Sequence, residues 1–184
     1  MTEFSVLDRV PVREGGSVAD ALAASTSLAQ KAESLGCKRF WVAEHHAMEG
    51  VAGGATSVVL AHIGNATSRI RIGSGGIMLP NHTPFQIAEQ FGTLDALFPG
   101  RIDLGLGRAP GAGPELQRAL RKNLSQASEY FPNDVVELRA ALEDAVKAFA
   151  DVLRARPEAR LLIAGAGHLG EELERLAGEM LPEG

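Results

Sequence analysis

Along the first 113 residues, short apolar runs alternate with helix start signals, and most of the runs end on glycine or a titratable side chain. This alternation constrains the fold more than any other feature of the chain. Phe4 to Val12, "FSVLDRVPV", reads as a short strand entering a proline-bearing loop. Ser17-Val18-Ala19-Asp20 has the form of a capping box. Val18, Leu22, Leu28, Ala32 and Leu35 then keep helical spacing until Gly36 can stop the helix. "RFWVAEHH", Arg39 to His46, is expected as the second strand, and Thr56 to Ala66 as the second helix. "RIRIGSGGIML", Arg69 to Leu79, is the third strand. Thr83-Pro84-Phe85-Gln86 opens the third helix, with threonine as cap, proline in the first turn and glutamine as box partner. Phe98-Pro99-Gly100 stops it, and "RIDLGLGRAPG", Arg101 to Gly111, is the fourth strand with its loop.

Repeated strand–helix units with short links imply an α/β fold with parallel strands in βα units and right-handed crossovers. In such folds ligands collect at the carboxyl ends of the strands. The segments "EHH", "GSGG" and "GLGRAPG" all fall at those ends. Beyond Gly113 the composition shifts to Glu, Arg, Ala and Leu. Residues 114–130 and 133–156 are expected to be helical, and "RLLIAGAGHLGEELERLAGEM" to be a fifth strand, a Gly-rich turn and a last helix.

The chain of 184 residues suits one domain with a substantial core. A net charge of −5 without a basic stripe argues against nonspecific nucleic-acid binding. No apolar run reaches the roughly 18–20 residues of a membrane span, and the first residues lack the pattern of a signal peptide. The single cysteine, Cys37, fits a reducing cytoplasm.

Four motifs can carry chemistry. Glu44, His45 and His46 close the second strand, where strand alternation allows only one of the two histidines to face a given pocket. A histidine there suits acid/base work. No metal site is expected: there is no His-Glu-x-x-His spacing, and His62 and His82 belong to other units. Gly73, Gly75 and Gly76 strip side chains from the end of the third strand, as a tight turn or as a wall for a flat ligand. In the fourth strand Asp103, Gly105 and Gly107 share one face, and Arg108 follows as a phosphate-binding candidate. "GAGHLG", Gly165 to Gly170, matches a dinucleotide pattern after an apolar strand, but no later strand supplies the acidic partner that fold needs.

These residues together resemble the bacterial-luciferase-like flavin monooxygenases. The likeness runs from Ser5 to about Leu138, through "SVLDRVPV", the long stretch from "FWVAEHHAMEG" to "GRIDLGLGRAPG", and "FPNDVVEL". The resemblance implies a partial TIM (β/α)8-like barrel of roughly five βα units, with an open doubly wound sheet as the alternative. It divides a single α/β domain, residues 1–184, into a half-barrel over 1–138 and an atypical helix–strand–helix over 139–184. It implies reduced FMN supplied by a flavin reductase, O2, and oxidation of a small organic substrate. By the same resemblance His45 is the catalytic acid/base with Glu44 beside it. Gly75 and Gly76 abut the flavin ring at a peptide often cis in this family. Arg108, after Gly107, lies near the phosphate. Glu89 is a buried acid of the third helix. Members of the family are usually longer, and residues 149–177 resemble a stretch of GT-B glycosyltransferases instead. Five units cannot close an eight-stranded barrel, so self-association into a homo-oligomer is expected. The other readings are a non-catalytic flavin-binding or assembly module, and a nucleotide binder through "GAGHLG".

Overall fold

A computed structural model of the protein describes residues 3–109, 118–120 and 123–148. The chain runs β1 (Ser5–Asp8), α1 (Val18–Ser34), β2 (Arg39–Val42), α2 (Thr56–Ala66), β3 (Arg71–Met78), a 3-10 turn (Leu79–Asn81), α3 (Pro84–Leu97) and β4 (Ile102–Gly107). Two further helices follow, α4 (Leu124–Glu129) and α5 (Phe131–Ala148). The expected fifth strand, the "GAGHLG" turn and the last helix lie outside the described residues.

The local signals act as the sequence implies. Ser17 and Asp20 form a reciprocal capping box on α1, with Asp20 N–H donating to Ser17 Oγ at 3.1 Å and Ser17 N–H to Asp20 Oδ2 at 2.9 Å. Gly36, at φ 77°, follows the end of that helix. Thr83 caps α3, and Pro84 stands in its first turn, where a missing N–H costs nothing. The second strand is shorter than expected. It leaves the ladder after Val42, so Glu44, His45 and His46 sit in the loop beyond it.

The four strands pair in parallel in the order β1-β2-β3-β4. A doubly wound sheet reverses its strand order at a switch point; sequential order with helices on one side is the start of a barrel. Among the described residues the sheet is not closed. Its two faces differ sharply. Phe40, Val42, Ile72, Ile102, Leu104 and Leu106 point to the helices and are buried. Each such side chain contributes roughly 1.5–3 kcal/mol of burial. The other face carries Leu7, Trp41, Gly73 and Asp103, in register across the strands, with Gly75 and Gly105 following at an irregularity. Leu7 is 57% exposed there.

Three polar contacts hold the layers. Asp103, buried on the open face, accepts from Arg39 Nε at 3.2 Å, Trp41 Nε1 at 3.0 Å and Arg71 Nε at 2.9 Å. Arg101 donates to the carbonyls of Thr67 and Ile70 and to Thr67 Oγ1, tying the end of α2 to the start of β4. Glu33 Oε1, in the last turn of α1, accepts from the backbone N–H groups of Ser68, Arg69 and Ile70. α5 packs along α3, burying Val135 and Leu138. Glu89 is exposed on α3, which corrects the expected buried acid: the helix turns Ile87, Ala88 and Phe91 inward instead.

Candidate active site

The carboxyl ends of the strands bring the expected residues to one end of the sheet. After β2, the Ala43 N–H still bonds Asp8 O at 2.8 Å, and the chain then turns into the loop. Gly53 and Gly54 pack directly on this turn. A Cβ on Gly53 would lie 2.8 Å from Ala43 O, and one on Gly54 3.2 Å from His45 O. The loop after β1 braces it from the other side, with Ala52 N–H donating to Val10 O at 2.9 Å and Val12 N–H to Gly50 O at 2.8 Å.

Glu44 is 1% exposed. Its Oε2 accepts from the Met78 N–H at 2.9 Å, at the end of β3. Its Oε1 receives two imidazoles: His82 Nε2 at 2.7 Å, and His46 Nε2 in a shorter contact. A carboxylate only accepts, so each ring offers a protonated Nε2 to the same oxygen. Burial alone raises the Glu44 carboxyl, but the His82 and His46 contacts and the Met78 amide outweigh it and hold the group below its ordinary value. Glu44 is therefore a carboxylate at neutral pH.

His45 is turned away from this cluster. Its ring is half-buried, and its Nδ1 is buried with no hydrogen-bond partner. Glu44 and His46, two apart, meet, and His45 between them does not join, although all three lie past Val42, where the strand whose alternation the sequence suggested has ended. Sequence reasoning missed His82, which it assigned to another unit. The fold brings it across because the strands before the two segments are neighbours, Arg39 pairing with Arg71. The only local signal is that both segments follow adjacent parallel strands.

Gly75 and Gly76 form an irregularity in β3. Ser74 pairs with Leu104 and Ile77 with Leu106, so the two glycines stand opposite the single Gly105. The Gly75–Gly76 peptide is cis. A Cβ on Gly76 would lie 2.9 Å from the backbone of Gly105 and Leu106. One on Gly75 would lie 2.6 Å from Leu7 Cδ1 and 3.1 Å from Trp41 Cε3. Bare peptide next to an indole is thus a requirement of the packing here. Gly107 pairs with Met78 and ends β4. Arg108 follows it, exposed, with its Nε donating to Ser128 O at 3.3 Å. The guanidinium is anchored through Nε and is exposed at the carboxyl end of the sheet.

The family model described as luciferase-like monooxygenase matches residues 2–174 of the chain. A luciferase-like monooxygenase of Escherichia coli (strain K12) is 53% identical over 135 residues, covering 73% of this chain and 40% of that protein. The N-acetyl-S-alkylcysteine monooxygenase of Bacillus subtilis (strain 168) is 42% identical over 144 residues, covering 78% and 43%. Among solved structures, apo-MsnO8 is 43% identical, with a TM-score of 0.71 over 77% of this chain and 42% of that one. The chain thus spans about two fifths of the length of these relatives. The likeness of residues 149–177 to GT-B glycosyltransferases finds no support in them. With a matching family model over nearly its whole length and a sequential parallel sheet of the barrel type, the chain belongs to the luciferase-like monooxygenase family.

Proposed function

We propose that the carboxyl end of this sheet is the flavin-binding end of an FMN-dependent monooxygenase, which takes reduced FMN from a flavin reductase and uses O2 to oxidise a small organic substrate. One observation carries this reading. The side-chain-free peptide of Gly75 and Gly76 lies against Trp41, close in sequence to an imidazole, His45, whose buried Nδ1 lacks a partner. A planar ring system fits beside bare backbone, and an orphaned buried nitrogen fits a ligand that would complete it.

Reduced FMN, when bound, supplies the electrons for O2 activation. The chain's own residues do the rest. Gly75 and Gly76 let the ring approach the backbone of β3. Arg108 holds the phosphate through its exposed guanidinium, with Gly107 leaving room beside it. His45 holds or moves a proton at Nδ1 during oxidation. Glu44 fixes the loop that carries His45 through its bond to Met78 N–H. A cytoplasmic setting belongs to this reading, on the strength of the single cysteine. Among the described residues no helix is long and apolar enough to cross a membrane. Association with a second copy also belongs to it, because the edges of β1 and β4, unpaired among the described residues, invite pairing.

The test is a titration of the purified chain with FMN, oxidised and then anaerobically reduced, read by flavin absorbance and fluorescence. Saturable binding, tighter for the reduced form, is the expected result. Absence of binding to either form sinks the proposal.

A further inference from the structure

The geometry points to a single-ion site for a divalent first-row transition metal of the zinc class, formed by Glu44 Oε1, His46 Nε2 and His82 Nε2. The three residues come from two separate chain segments, one ligand atom from each lies within 4.8 Å of the others, and both Nε2 atoms contact Glu44 Oε1. Among the described residues no other set of three His, Cys, Asp or Glu side chains converges in this way. Ligand atoms around one zinc, at bond lengths of about 2.0–2.2 Å, stand roughly 3–3.5 Å apart. Side-chain shifts of about 1 Å therefore convert the hydrogen-bonded cluster into a coordinating one.

The donor chemistry selects the ion. Two imidazoles and one carboxylate suit zinc and its neighbours, whereas magnesium and calcium want oxygen-rich shells. Coordination requires the proton of each ring on Nδ1 instead of Nε2, which leaves a lone pair on the nitrogen that faces the ion. The carboxylate is already oriented, because Met78 N–H holds Oε2 while Oε1 faces the two rings. A divalent ion also compensates a negative charge that is almost wholly buried. The two imidazoles are 23% and 25% exposed, which gives the ion an entry path and leaves a coordination position open on their side. The inference goes beyond the flavin reading and does not rest on it, since ion binding is measured without flavin.

The experiment is zinc titration of the purified, chelator-washed full chain against a chromophoric chelator, with Co2+ substitution to read the ligand field. One equivalent with a Kd of about 1 µM or tighter is expected. Glu44→Gln, His46→Asn and His82→Asn should each weaken binding at least tenfold, while His62→Asn, at an exposed position on α2, leaves it unchanged. A variant that fails to fold is bypassed by long-range ¹H–¹⁵N spectra of the unaltered chain, in which zinc must move two imidazoles from the Nε2–H to the Nδ1–H form. No binding at 100-fold higher zinc, binding indifferent to the cluster variants, or imidazole spectra unmoved by zinc would each overturn the assignment.

Discussion

Glu44 and His82 stand 38 positions apart in the sequence and meet at 2.7 Å. The contact spans the ends of two neighbouring parallel strands, β2 and β3. It fixes the loop after one strand to the turn after the next, and so holds the peptide that carries His45. Several consequences for function and stability can be measured.

His45 lies outside the Glu44 cluster, with its Nδ1 buried and unpaired. His45→Ala should leave FMN affinity within a few fold and lower turnover by roughly 10²-fold or more, the usual scale of a lost proton-transfer group. Steady-state oxidation rates at saturating reduced FMN check this. Unchanged turnover removes His45 from the chemistry.

In the proposed function Arg108 is the cation that holds the phosphate. Arg108→Ala should weaken FMN by roughly tenfold, the lower range for a charge-assisted contact because the side chain is exposed. Riboflavin, which has no phosphate, should bind the variant and the unaltered chain alike. Parallel titrations with both ligands decide it, and equal losses for the two ligands rule out the phosphate role.

Glu33 links acid stability to the α2–β3 connection. Burial, the largest single influence, raises its carboxyl, but the three amides of Ile70, Arg69 and Ser68 and the charge of Arg69 together outweigh it and hold the group below its ordinary value of 4.5. A depressed carboxyl contributes stability that is present above the unfolded value and is lost as pH falls through the folded one. Glu33→Gln should therefore cost about 1 kcal/mol near neutral pH, a figure kept small by solvent screening at this exposed site. The difference from the unaltered chain should shrink below the ordinary carboxylate range. Urea denaturation at the two pH values measures both.

Two glycines should respond in opposite directions to the same methyl group. A Cβ on Gly73 would fall 2.2 Å from Asp103 O, inside the paired backbone of β3 and β4, where no side chain can move aside. Gly73→Ala should cost about 3 kcal/mol or more. Gly92 sits within α3 with nothing within 4 Å of the added carbon. Gly92→Ala should add roughly 0.5–1 kcal/mol by raising helix propensity. Denaturation midpoints of the two variants, taken side by side, test the contrast.

The parts of the fold that depend on local chemistry were legible in the sequence. The Ser17–Asp20 box and the Thr83-Pro84 start of α3 are set by residues within one helical turn of each other, and the structure places them where those residues require. Parallel pairing also followed from the strand–helix rhythm, whereas the sequential order came only with the family resemblance. What stayed hidden depends on register. Nothing near His82 announces Glu44, because their meeting requires Arg39 to pair with Arg71. Asp103 was visible as a strand residue sharing a face with glycines, but its three donors come from β2 and β3. The expected strand through His46 ends at Val42, since past that point Glu44 is held by Met78 and the two histidines instead of by a ladder. Glu89 was assigned to the interior by resemblance, and the helical face that Ile87 and Phe91 occupy leaves it outside.

The grip of Arg39, Trp41 and Arg71 on Asp103 also works as a proofreading device for strand alignment. In a parallel sheet, sliding one strand by a single residue turns all its side chains to the opposite face. Were β3 to slip against β4 in that way, Arg71 would swing toward the helices and Asp103 would keep its buried charge with fewer donors. Apolar pairs such as Ile72 and Ile102 tolerate approximate alignment, because their attraction has no direction. The carboxylate does not, so a misaligned sheet is penalised at the one buried charge that three donors must reach.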